Sequence, residues 1–434
     1  MNIVLLSGGS GKRLWPLSND IRSKQFIKLF KNEKDEYKSM VQRIYEQIKK
    51  VDPFSNIIIA TSKSQVSAIH NQLGEDVNIS IEPCRRDTFP AIALATSYLH
   101  DELGVSEDEA VVICPVDPFV EEGYFQCLKK LSIQAEKGKA NLVLMGIEPT
   151  YPSEKYGYII PKTKEVISEV STFKEKPDTG TATEYIQLGA LWNGGVFAYK
   201  LKYVLDKAHE LIAFNDYNDL YKKYETLPKI SFDYVVVEKE PSIEVIRFSG
   251  EWKDLGTWNT LTEAMQEQII GKGMLNNSCK NVHVINELDV PIICMGLHNV
   301  VVSASPEGIL VSDKAESSYI KPYVDKIDQQ IMFAEKSWGE FKVLDIENDS
   351  MTIKVILNPH HKMQYHSHDF RDEIWNVISG EGVAIIDDVE QNVTVGDILT
   401  MKSGSFHTII ANTKLELIEI QLGKEISIED KHKK

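Results

Sequence analysis

The first 150 residues alternate short apolar runs with helical segments, and this alternation is the strongest constraint on how the chain can fold. The segment 37–51 repeats apolar residues every four positions, and the helical segment 90–103 has proline in its first turn. Strands joined by helices of this length must cross over, so the sequence predicts an α/β domain with a Rossmann-like, mostly parallel sheet. The apolar runs that we interpret as its strands are 3–6, 56–61, 79–82, 110–117 and 141–147.

A glycine-rich loop follows the first predicted strand, at the strand end where parallel sheets bind their ligands. Residues 7–11 hold three glycines in five positions, which lets bare backbone N–H groups approach an anion closely. Arg13 and Lys24 then add two cations, which a polyphosphate needs beyond backbone donors. A plain strand-to-turn connection would explain the glycines but not these cations. The stretch therefore predicts an anion-binding site.

Two familiar phosphate motifs do not fit this loop. A P-loop requires glycine where Leu6 stands, five residues before Gly11, and serine or threonine after Lys12. A dinucleotide fingerprint requires glycine at the position of Leu14. The sequence therefore predicts neither an ATPase-type loop nor an NAD site.

Length and composition narrow the class of protein. With 434 residues the chain is long for one core, so we expect two or three domains. A net charge of −16 argues against nucleic acid or an anionic membrane surface as a partner. The five cysteines are widely spaced and odd in number, which predicts reduced thiols rather than a disulfide framework. Because the sequence shows no signal peptide and no apolar run of eighteen residues, we expect a cytoplasmic protein with no membrane partner.

Residues 3–25 read IVLLSGGSGKRLWPLSNDIRSKQ and resemble the signature GGSGxRLWPLS…KQ of mannose-1-phosphate guanylyltransferases, a family of sugar nucleotidyltransferases. The resemblance implies transfer of a guanylyl group from GTP to mannose 1-phosphate, which gives GDP-mannose and pyrophosphate. Three alternatives stay open: the same reaction with another nucleotide or sugar, a bifunctional enzyme that also interconverts mannose 6-phosphate and fructose 6-phosphate in its C-terminal domain, and a non-catalytic protein that only binds sugar nucleotides. Arg13 and Lys24 would be the catalytic cations. The residues of this stretch implied to bind the nucleotide are Ser7, Gly8, Gly9, Gly11, Lys12 and Arg13.

A second segment resembles the part of the family that lies along the nucleotide. Residues 82–93 read EPCRRDTFPAIA, against EPxGRNTAPAIA in the family. This implies nucleotide contacts for Glu82 and Asp87, although the family has asparagine at the latter position. Asp87 or Thr88 would also cap the helix that begins at Pro90. The two interpretations are compatible.

Two aspartates carry the predicted magnesium site. Asp117 in CPVDPF resembles the family's P-x-D-H, and Asp254 in EWKDLGTW resembles WxDxGxW, where the aspartate ligates the metal. Mg²⁺ takes one or two protein carboxylates and completes its shell with phosphate oxygens and water. Either aspartate alone would suit a turn, but the pair in matching motifs predicts a Mg²⁺ site.

Three further motifs carry the sugar phosphate. EPTYPSEKYGYI, FKEKPD and LWNGGVF resemble the family's PTxPxxxYGYI, FxEKPD and WNSGMF. The resemblance implies that Gly157 admits the sugar and that Glu175 and Asn193 bind its hydroxyl groups. Lys176 would bind the phosphate, with a solvated salt bridge to Glu175 as the alternative. The acidic residues of SFDYVVVEK, which matches DYAVMEK, either face the sugar or support the loop.

The C-terminal part changes to β-rich patterns separated by Pro, Gly and Asp. We predict a nucleotidyltransferase domain over 1–268, a left-handed β-helix-like linker over 269–332, and a cupin jelly roll over 333–434. The linker is implied by the family resemblance alone.

Both cupin motifs are present in the last domain. His366, His368 and Glu373 fit H-x-H-x₄-E-x₆-G, and His407 fits G-x₇-G-x₂-H. Three imidazoles and one carboxylate form a donor set suited to Zn²⁺, Fe²⁺, Mn²⁺ or Ni²⁺. A jelly roll without metal is the alternative.

This domain resembles the C-terminal half of bifunctional enzymes that also have mannose-6-phosphate isomerase activity. The family has glutamine where His366 stands, and its basic tail is longer. Arg371 is the only arginine after Arg247, and a flexible lysine tail binds phosphate weakly. We therefore expect a cupin that binds metal but isomerises poorly, and we expect a homodimer.

Overall fold

The computed structural model describes all residues except 10, 11, 20, 328, 329, 425, 427–429 and 434. It divides into two compact units. The first comprises Met1–Gly11, Ser23–Val66 and Asp76–Gln266, and the second comprises Lys12–Arg22, Ser67–Glu75 and Glu267–Lys434. Two short N-terminal segments thus group with the C-terminal part, and the predicted domain boundaries stay a prediction.

The described part of the first unit contains thirteen strands and most of the helices. The strands are β1 (Asn2–Leu6), β2 (Phe30–Lys31), β3 (Tyr37–Lys38), β4 (Asn56–Ser62), β5 (Asn78–Glu82), β6 (Ala110–Pro115), β7 (Pro118–Val120), β8 (Leu142–Ile147), β9 (Tyr158–Pro161), β10 (Ile167–Lys174), β11 (Leu191–Lys200), β12 (Ile243–Phe248) and β13 (Trp252–Asp254). The α-helices that lie before residue 267 are α1 (Met40–Val51), α2 (Val66–Leu73), α3 (Thr88–Asp101), α4 (Glu122–Glu136), α5 (Thr179–Gln187), α6 (Leu201–Leu211), α7 (Tyr217–Lys223), α8 (Phe232–Val235) and α9 (Trp258–Ala264). Helix α2 groups with the second unit from Ser67 onward.

The second unit is mostly β. Its strands are β14 (Ile269–Ile270), β15 (Gly273–Leu275), β16 (His283–Asn286), β17 (Ile292–Cys294), β18 (Val300–Ser305), β19 (Gly308–Asp313), β20 (Phe333–Lys336), β21 (Gly339–Glu347), β22 (Ser350–Leu357), β23 (His366–Ser367), β24 (Asp372–Ser379), β25 (Gly382–Ile386), β26 (Val389–Val393), β27 (Ile398–Met401), β28 (His407–Ala411), β29 (Leu415–Leu422) and β30 (His432–Lys433). Helix α10 spans Lys321–Val324. Among the described residues, no helix is long and apolar enough to cross a membrane.

A nine-stranded sheet with the order β5-β4-β1-β6-β11-β8-β12-β10-β9 organises the first unit. Strands β5, β4, β1 and β6 pair in parallel, as do β8 and β12. The predicted strands match β1, β4, β5, β6 and β8, which confirms the α/β, Rossmann-like prediction. Strand β11 runs antiparallel to both β6 and β8, and β9 and β10 form an antiparallel edge. The sheet is therefore less parallel than predicted, because apolar periodicity does not encode strand direction.

The parallel part of this sheet collects three sequence motifs at one edge. Strand β1 leads into the glycine-rich loop, β5 ends at Glu82, and Asp117 follows β6. Parallel neighbours present their carboxyl ends on the same side, so these motifs lie along one edge although they are far apart in the chain.

The second unit contains the predicted β-helix-like and cupin parts. Strands β14, β16 and β18 pair in parallel, as do β15 and β17, which fits short coils of a β-helix. The cupin part has two sheets, with the orders β20-β21-β22-β29-β24-β27 and β26-β25-β28-β23-β30. Apolar side chains from both sheets form one buried core, among them Trp375 and Leu417 from the first sheet and Ile409 from the second. This confirms the jelly-roll prediction.

Arg22 fixes the segment Lys12–Arg22 within the second unit. Its guanidinium donates two hydrogen bonds to the Glu287 carboxylate, at 2.7 and 2.9 Å, and lies 4.8 Å from the centre of the Phe333 ring. Bidentate pairing combined with a cation–π contact holds an arginine in one orientation. Part of the N-terminal signature thus has a structural role that the motif alone did not predict.

Leu417 on β29 tests the cupin core. Its side chain is fully buried, so Leu417→Ala should lower the free energy of unfolding by about 2–5 kcal/mol through lost burial and a residual cavity. The matched control is Leu422→Ala on the same strand, where the side chain is 42% exposed and the change should stay within about 0.5 kcal/mol. Urea unfolding followed by far-UV circular dichroism measures both variants. Equal losses would contradict the assignment of Leu417 to the core.

Candidate active site

Buried polar side chains hold the carbonyl groups of the glycine-rich loop. The Gln25 amide donates to the Ser7 carbonyl at 2.8 Å, and the Ser23 hydroxyl donates to the Gly9 carbonyl at 2.6 Å. The Gln65 amide adds a second bond to the Gly9 carbonyl at 3.3 Å. Because these oxygens are satisfied within the protein, an anion at the loop would meet N–H donors rather than oxygen lone pairs. No motif in the sequence indicated Gln65.

The cations just beyond the loop are placed differently from Lys24. Lys12 and Arg13 lie in the short 3₁₀ helix Lys12–Leu14, which groups with the second unit. Lys12 donates to Asp325 at 3.2 Å, and Arg13 is exposed. Gly11, which was predicted to bind the nucleotide, lies outside the described residues. The contacts of these three residues with a nucleotide stay a prediction.

A two-stranded ribbon brings Asp117 and Asp254 together. Strands β7 and β13 pair antiparallel, and this pairing sets Asp254, at the end of β13, opposite Pro118, the neighbour of Asp117. The Lys24 ammonium lies 2.8 Å from Asp117 Oδ2 and 3.7 Å from Asp254 Oδ1. The structure therefore joins Lys24, Asp117 and Asp254, which the sequence placed in three separate motifs, into one group that we call the ion cluster.

The ion cluster has the donor set that Mg²⁺ requires. Burial acts to raise the pKa of Asp117, but the ion pair and hydrogen bond with Lys24 prevail and hold this pKa below its ordinary value. Asp117 is therefore ionised at neutral pH. Mg²⁺ prefers hard oxygen ligands such as carboxylates. Asp117 and Asp254 provide two carboxylates that already share one cation. The residues present fit this metal.

Glu82 lies buried against the loop, and Tyr224 holds it there. The Tyr224 hydroxyl donates to Glu82 Oε2 at 2.7 Å. The other carboxylate oxygen faces the loop, since a Cβ added at Gly8 would lie 3.4 Å from it. Burial raises the pKa of Glu82, although Tyr224 and Arg85 oppose this. Tyr224 has no place in the motifs, and nothing in the sequence indicated its contact with Glu82.

Asp87 caps helix α3. Its Oδ1 accepts a hydrogen bond from the Thr88 amide at 2.8 Å. The backbone of Asp87 has a φ of 70°, a conformation that residues other than glycine rarely adopt. The capping prediction is confirmed, and a contact with the nucleotide stays a prediction.

The residues predicted for the sugar converge on one side of the sheet, in a group that we call the sugar cluster: Gly157, Glu175, Asn193 and Asp233. A Cβ at Gly157 would lie 2.5 Å from Glu175 Oε2, so only glycine leaves room for this carboxylate. The Asn193 side chain donates to Asp233 Oδ1 at 2.7 Å. Glu175 Oε2 is buried and has no hydrogen-bond partner among the described atoms. An unused buried acceptor suits a sugar hydroxyl.

Lys176 and Glu238 flank the sugar cluster and, with its member Asp233, determine the charge there. Lys176 donates to Glu175 Oε1 at 2.5 Å, and its own side chain is half exposed whereas Glu175 is buried. The pair therefore does not lie on a solvated face, and the contact of Lys176 with the phosphate stays a prediction. Glu238 accepts from the Glu175 amide at 3.5 Å and from Lys174 at 3.1 Å, which identifies it as a support of the loop. Burial, with repulsion from Glu175, raises the pKa of Asp233 to about 6.

Three buried histidines in the cupin share one hydrogen-bonding pattern. In His366, His368 and His407, Nδ1 bonds a backbone carbonyl group. The acceptors are the carbonyl groups of Gln364 at 2.6 Å, of Asp430, and of Ser405 at 3.0 Å. An Nδ1–H that donates to a carbonyl leaves Nε2 with its lone pair. The three rings offer nitrogen atoms within 4.8 Å of one another, which is the geometry of a metal site.

Glu373 completes this donor set. Its two oxygens lie 3.0 Å from His368 Nε2 and 3.2 Å from His407 Nε2. If the rings are neutral with the proton on Nδ1, each contact sets a carboxylate oxygen against an Nε2 lone pair, and the two repel each other. His407 Nε2 has no hydrogen bond among the described atoms. Arg371 donates to Glu373 at 3.0 Å and lies 3.1 Å from His368 Nε2. A cation among these atoms would relieve the repulsion, so the residues present fit a divalent metal.

Two of the four predicted cupin metal residues, His366 and Glu373, line a cavity of about 590 Å³. Its walls are largely apolar, and three cationic side chains, Lys336, Arg371 and Lys431, reach it. Lys431 is half-buried on the wall, and burial lowers its pKa to about 8. Burial, with a contribution from Lys431, also lowers the pKa of His366 to about 3. The sequence predicts a flexible lysine tail. In the structure, His432 and Lys433 instead form β30, which pairs with β23 at His366 and Ser367.

Comparisons with known proteins match both parts of the chain. Residues 2–269 match the nucleotidyl transferase family, and residues 325–433 match the mannose-6-phosphate isomerase C-terminal family. The chain is 28% identical to a putative mannose-1-phosphate guanylyltransferase of Vibrio cholerae serotype O1, over 98% of each chain. It is also 28% identical to the alginate biosynthesis protein AlgA of Pseudomonas aeruginosa, over 98% of this chain and 95% of that one. A crystal structure described as a mannose-1-phosphate geranyltransferase from Thermus thermophilus is similar with a TM-score of 0.63 and 27% identity, over 75% of this chain and 98% of that one.

The matched regions are those that carry the motifs. The nucleotidyl transferase match covers more than half of the chain and includes the glycine-rich loop, the ion cluster and the sugar cluster. The resemblance inferred from the sequence is thereby confirmed, and the protein is an enzyme of this class. The chain belongs to the nucleotidyl transferase family.

Proposed function

We propose that this enzyme transfers a guanylyl group from GTP to mannose 1-phosphate and releases pyrophosphate. The observation that carries the proposal is the ion cluster, in which Asp117 and Asp254 share the Lys24 ammonium at the same sheet edge as the glycine-rich loop. A protein that only bound sugar nucleotides, without catalysis, would need no pair of carboxylates at this edge. The names of the relatives supply guanine and mannose.

The proposed reaction depends on position and charge. A phosphate oxygen of mannose 1-phosphate attacks the α-phosphorus of GTP, pyrophosphate leaves, and no covalent enzyme intermediate forms. The loop amides would hold the triphosphate while Lys24 and Arg13 neutralise phosphate oxygens. The sugar cluster would hold the hydroxyl groups, with Lys176 on the sugar phosphate. Asp117 and Asp254 would hold Mg²⁺, which when bound neutralises charge on the phosphates.

The identity of base and sugar is tested directly. We expect pyrophosphate release to be fastest with GTP and mannose 1-phosphate in a matrix of five nucleotides against several sugar 1-phosphates. A clear preference for CTP, UTP or dTTP would overturn the guanylyl assignment. If GTP binds in calorimetry and no sugar 1-phosphate releases pyrophosphate, the non-catalytic alternative is favoured.

The metal role of the ion cluster is tested by Asp254→Ala. This change should abolish Mg²⁺-dependent pyrophosphate release, a loss of about a hundredfold or more, because it removes one carboxylate ligand. The control is Glu251→Gln, which removes an exposed carboxylate three residues earlier, and its rate should match the wild type. Circular dichroism shows whether both variants fold. Near wild-type turnover of Asp254→Ala would contradict the assignment.

The cupin is a second candidate site, and one observation favours isomerisation of a sugar 6-phosphate there. The prediction of poor activity assumed a flexible tail, but Lys431 lines the same cavity as Lys336, Arg371 and two of the metal residues, His366 and Glu373. An aldose–ketose isomerase requires a metal to polarise the substrate, a base, and cations for the phosphate. His366, His368, Glu373 and His407 would hold the divalent metal, for which Zn²⁺ is one candidate.

This second activity is tested with Lys431→Met. We expect a divalent transition metal in the purified protein by elemental analysis, and conversion of fructose 6-phosphate to mannose 6-phosphate in a coupled assay. Lys431→Met should raise KM for fructose 6-phosphate about tenfold through loss of a charged contact. Lys414→Met, at an exposed position of the same domain, should leave KM unchanged. Metal with little or no conversion would restore the prediction of a cupin that binds metal but isomerises poorly.

A further inference from the structure

The Lys24 side chain places a positive charge next to both carboxylates of the ion cluster. Its ammonium approaches Asp117 Oδ2 to 2.8 Å and Asp254 Oδ1 to 3.7 Å, and its side chain is only 17% exposed. The two carboxylates and one ammonium together leave a single negative charge. Without Lys24, two like charges would stand side by side at the end of the β7–β13 ribbon, and their repulsion would oppose the strand pairing.

A metal ion cannot join this arrangement unchanged. Mg²⁺ lies about 2.1 Å from its oxygen ligands, so an ion held by both Asp117 and Asp254 would lie close to the Lys24 ammonium, which contacts one oxygen of each carboxylate. Two positive groups would then compete for the same pair of carboxylates and repel each other. Lys24 must leave the carboxylates when the metal arrives, and it needs another anion close by.

The glycine-rich loop offers a site for that anion. Lys24 opens the 3₁₀ helix Lys24–Phe26, directly after Ser23 and directly before Gln25. These two neighbours hold the loop through the Gly9 and Ser7 carbonyl groups. The backbone of Lys24 is therefore anchored to the loop, so a short side-chain movement would carry its ammonium from the carboxylates to phosphate oxygens bound there.

We propose that Lys24 is a resident counter-ion, which neutralises Asp117 and Asp254 in the metal-free enzyme and excludes Mg²⁺ until nucleotide phosphates draw it away. The proposal deepens the proposed function, on which it rests for the identity of the nucleotide. It makes metal binding conditional on nucleotide binding. By linkage, metal and nucleotide then increase each other's affinity by the same factor.

Binding of Mn²⁺ as a paramagnetic probe, measured by electron paramagnetic resonance without nucleotide, tests this directly. Lys24→Gln should bind Mn²⁺ about tenfold more tightly than the wild type, a typical size for such couplings. Lys24→Arg keeps the charge and should bind as weakly as the wild type. The charge-matched control is Lys139→Gln, an exposed position between α4 and β8 at the opposite sheet edge, and it should not differ from the wild type. Because the cupin also offers metal ligands, the gain is assigned to the ion cluster only if Asp254→Asn removes it from Lys24→Gln.

Equal Mn²⁺ affinity in Lys24→Gln and the wild type would overturn the proposal, as would an equal gain in Lys139→Gln. A second measurement needs no variant, so it holds even if Lys24→Gln does not fold. Acetylation of Lys24 by an amine-reactive reagent, read by mass spectrometry, should stay constant with Mg²⁺ alone and fall with GTP, while acetylation of Lys139 stays constant in both. A rise in Lys24 labelling with Mg²⁺ alone, or unchanged labelling with GTP, would contradict the proposal. Neither experiment involves turnover, so a failure of guanylyl transfer remains distinguishable from a failure of this inference.

Discussion

The ammonium of Lys24 between the carboxylates of Asp117 and Asp254 is the interaction on which the arrangement of the transferase site depends. The two aspartates come from distant parts of the chain and meet only because β7 pairs with β13. Pairing of this kind brings backbone together, but it also brings two negative charges together. The cluster is stable because a third segment, the short 3₁₀ helix Lys24–Phe26, supplies a cation.

The same segment also shapes the glycine-rich loop. Gln25 and Ser23, on either side of Lys24, bond the carbonyl groups of Ser7 and Gly9. One short stretch thus controls both the phosphate-binding backbone and the charge of the metal ligands. The glycines and the Lys24–Gln25 pair of the signature are therefore two halves of one site rather than two independent features.

Much of this architecture was predictable because it rests on local pattern. The strands β1, β4, β5, β6 and β8 followed from apolar runs, and the cupin metal residues followed from motif spacing. Gln65, Tyr224 and Lys431 were not predictable, since each acts through a contact distant in sequence: with Gly9, with Glu82, and with the cupin cavity. A buried glutamine or tyrosine looks like any other core residue in a sequence. The grouping of Lys12–Arg22 with the second unit was equally hidden, because Glu287 and Phe333 stand far from Arg22 in the chain.

The two candidate metal sites differ in their donor atoms, and this difference determines which class of metal ion each site favours. The ion cluster offers hard carboxylate oxygens balanced by a movable ammonium, so a nucleotide phosphate can complete the shell of Mg²⁺. The cupin offers buried imidazoles whose Nδ1 atoms are tied to backbone carbonyl groups, which fixes the Nε2 lone pairs whether or not a substrate is present. Nitrogen-rich sets of this kind favour transition metals over Mg²⁺. The donor chemistry of the two sites therefore differs, with carboxylate oxygens beside an ammonium in the transferase part and imidazole nitrogens in the cupin.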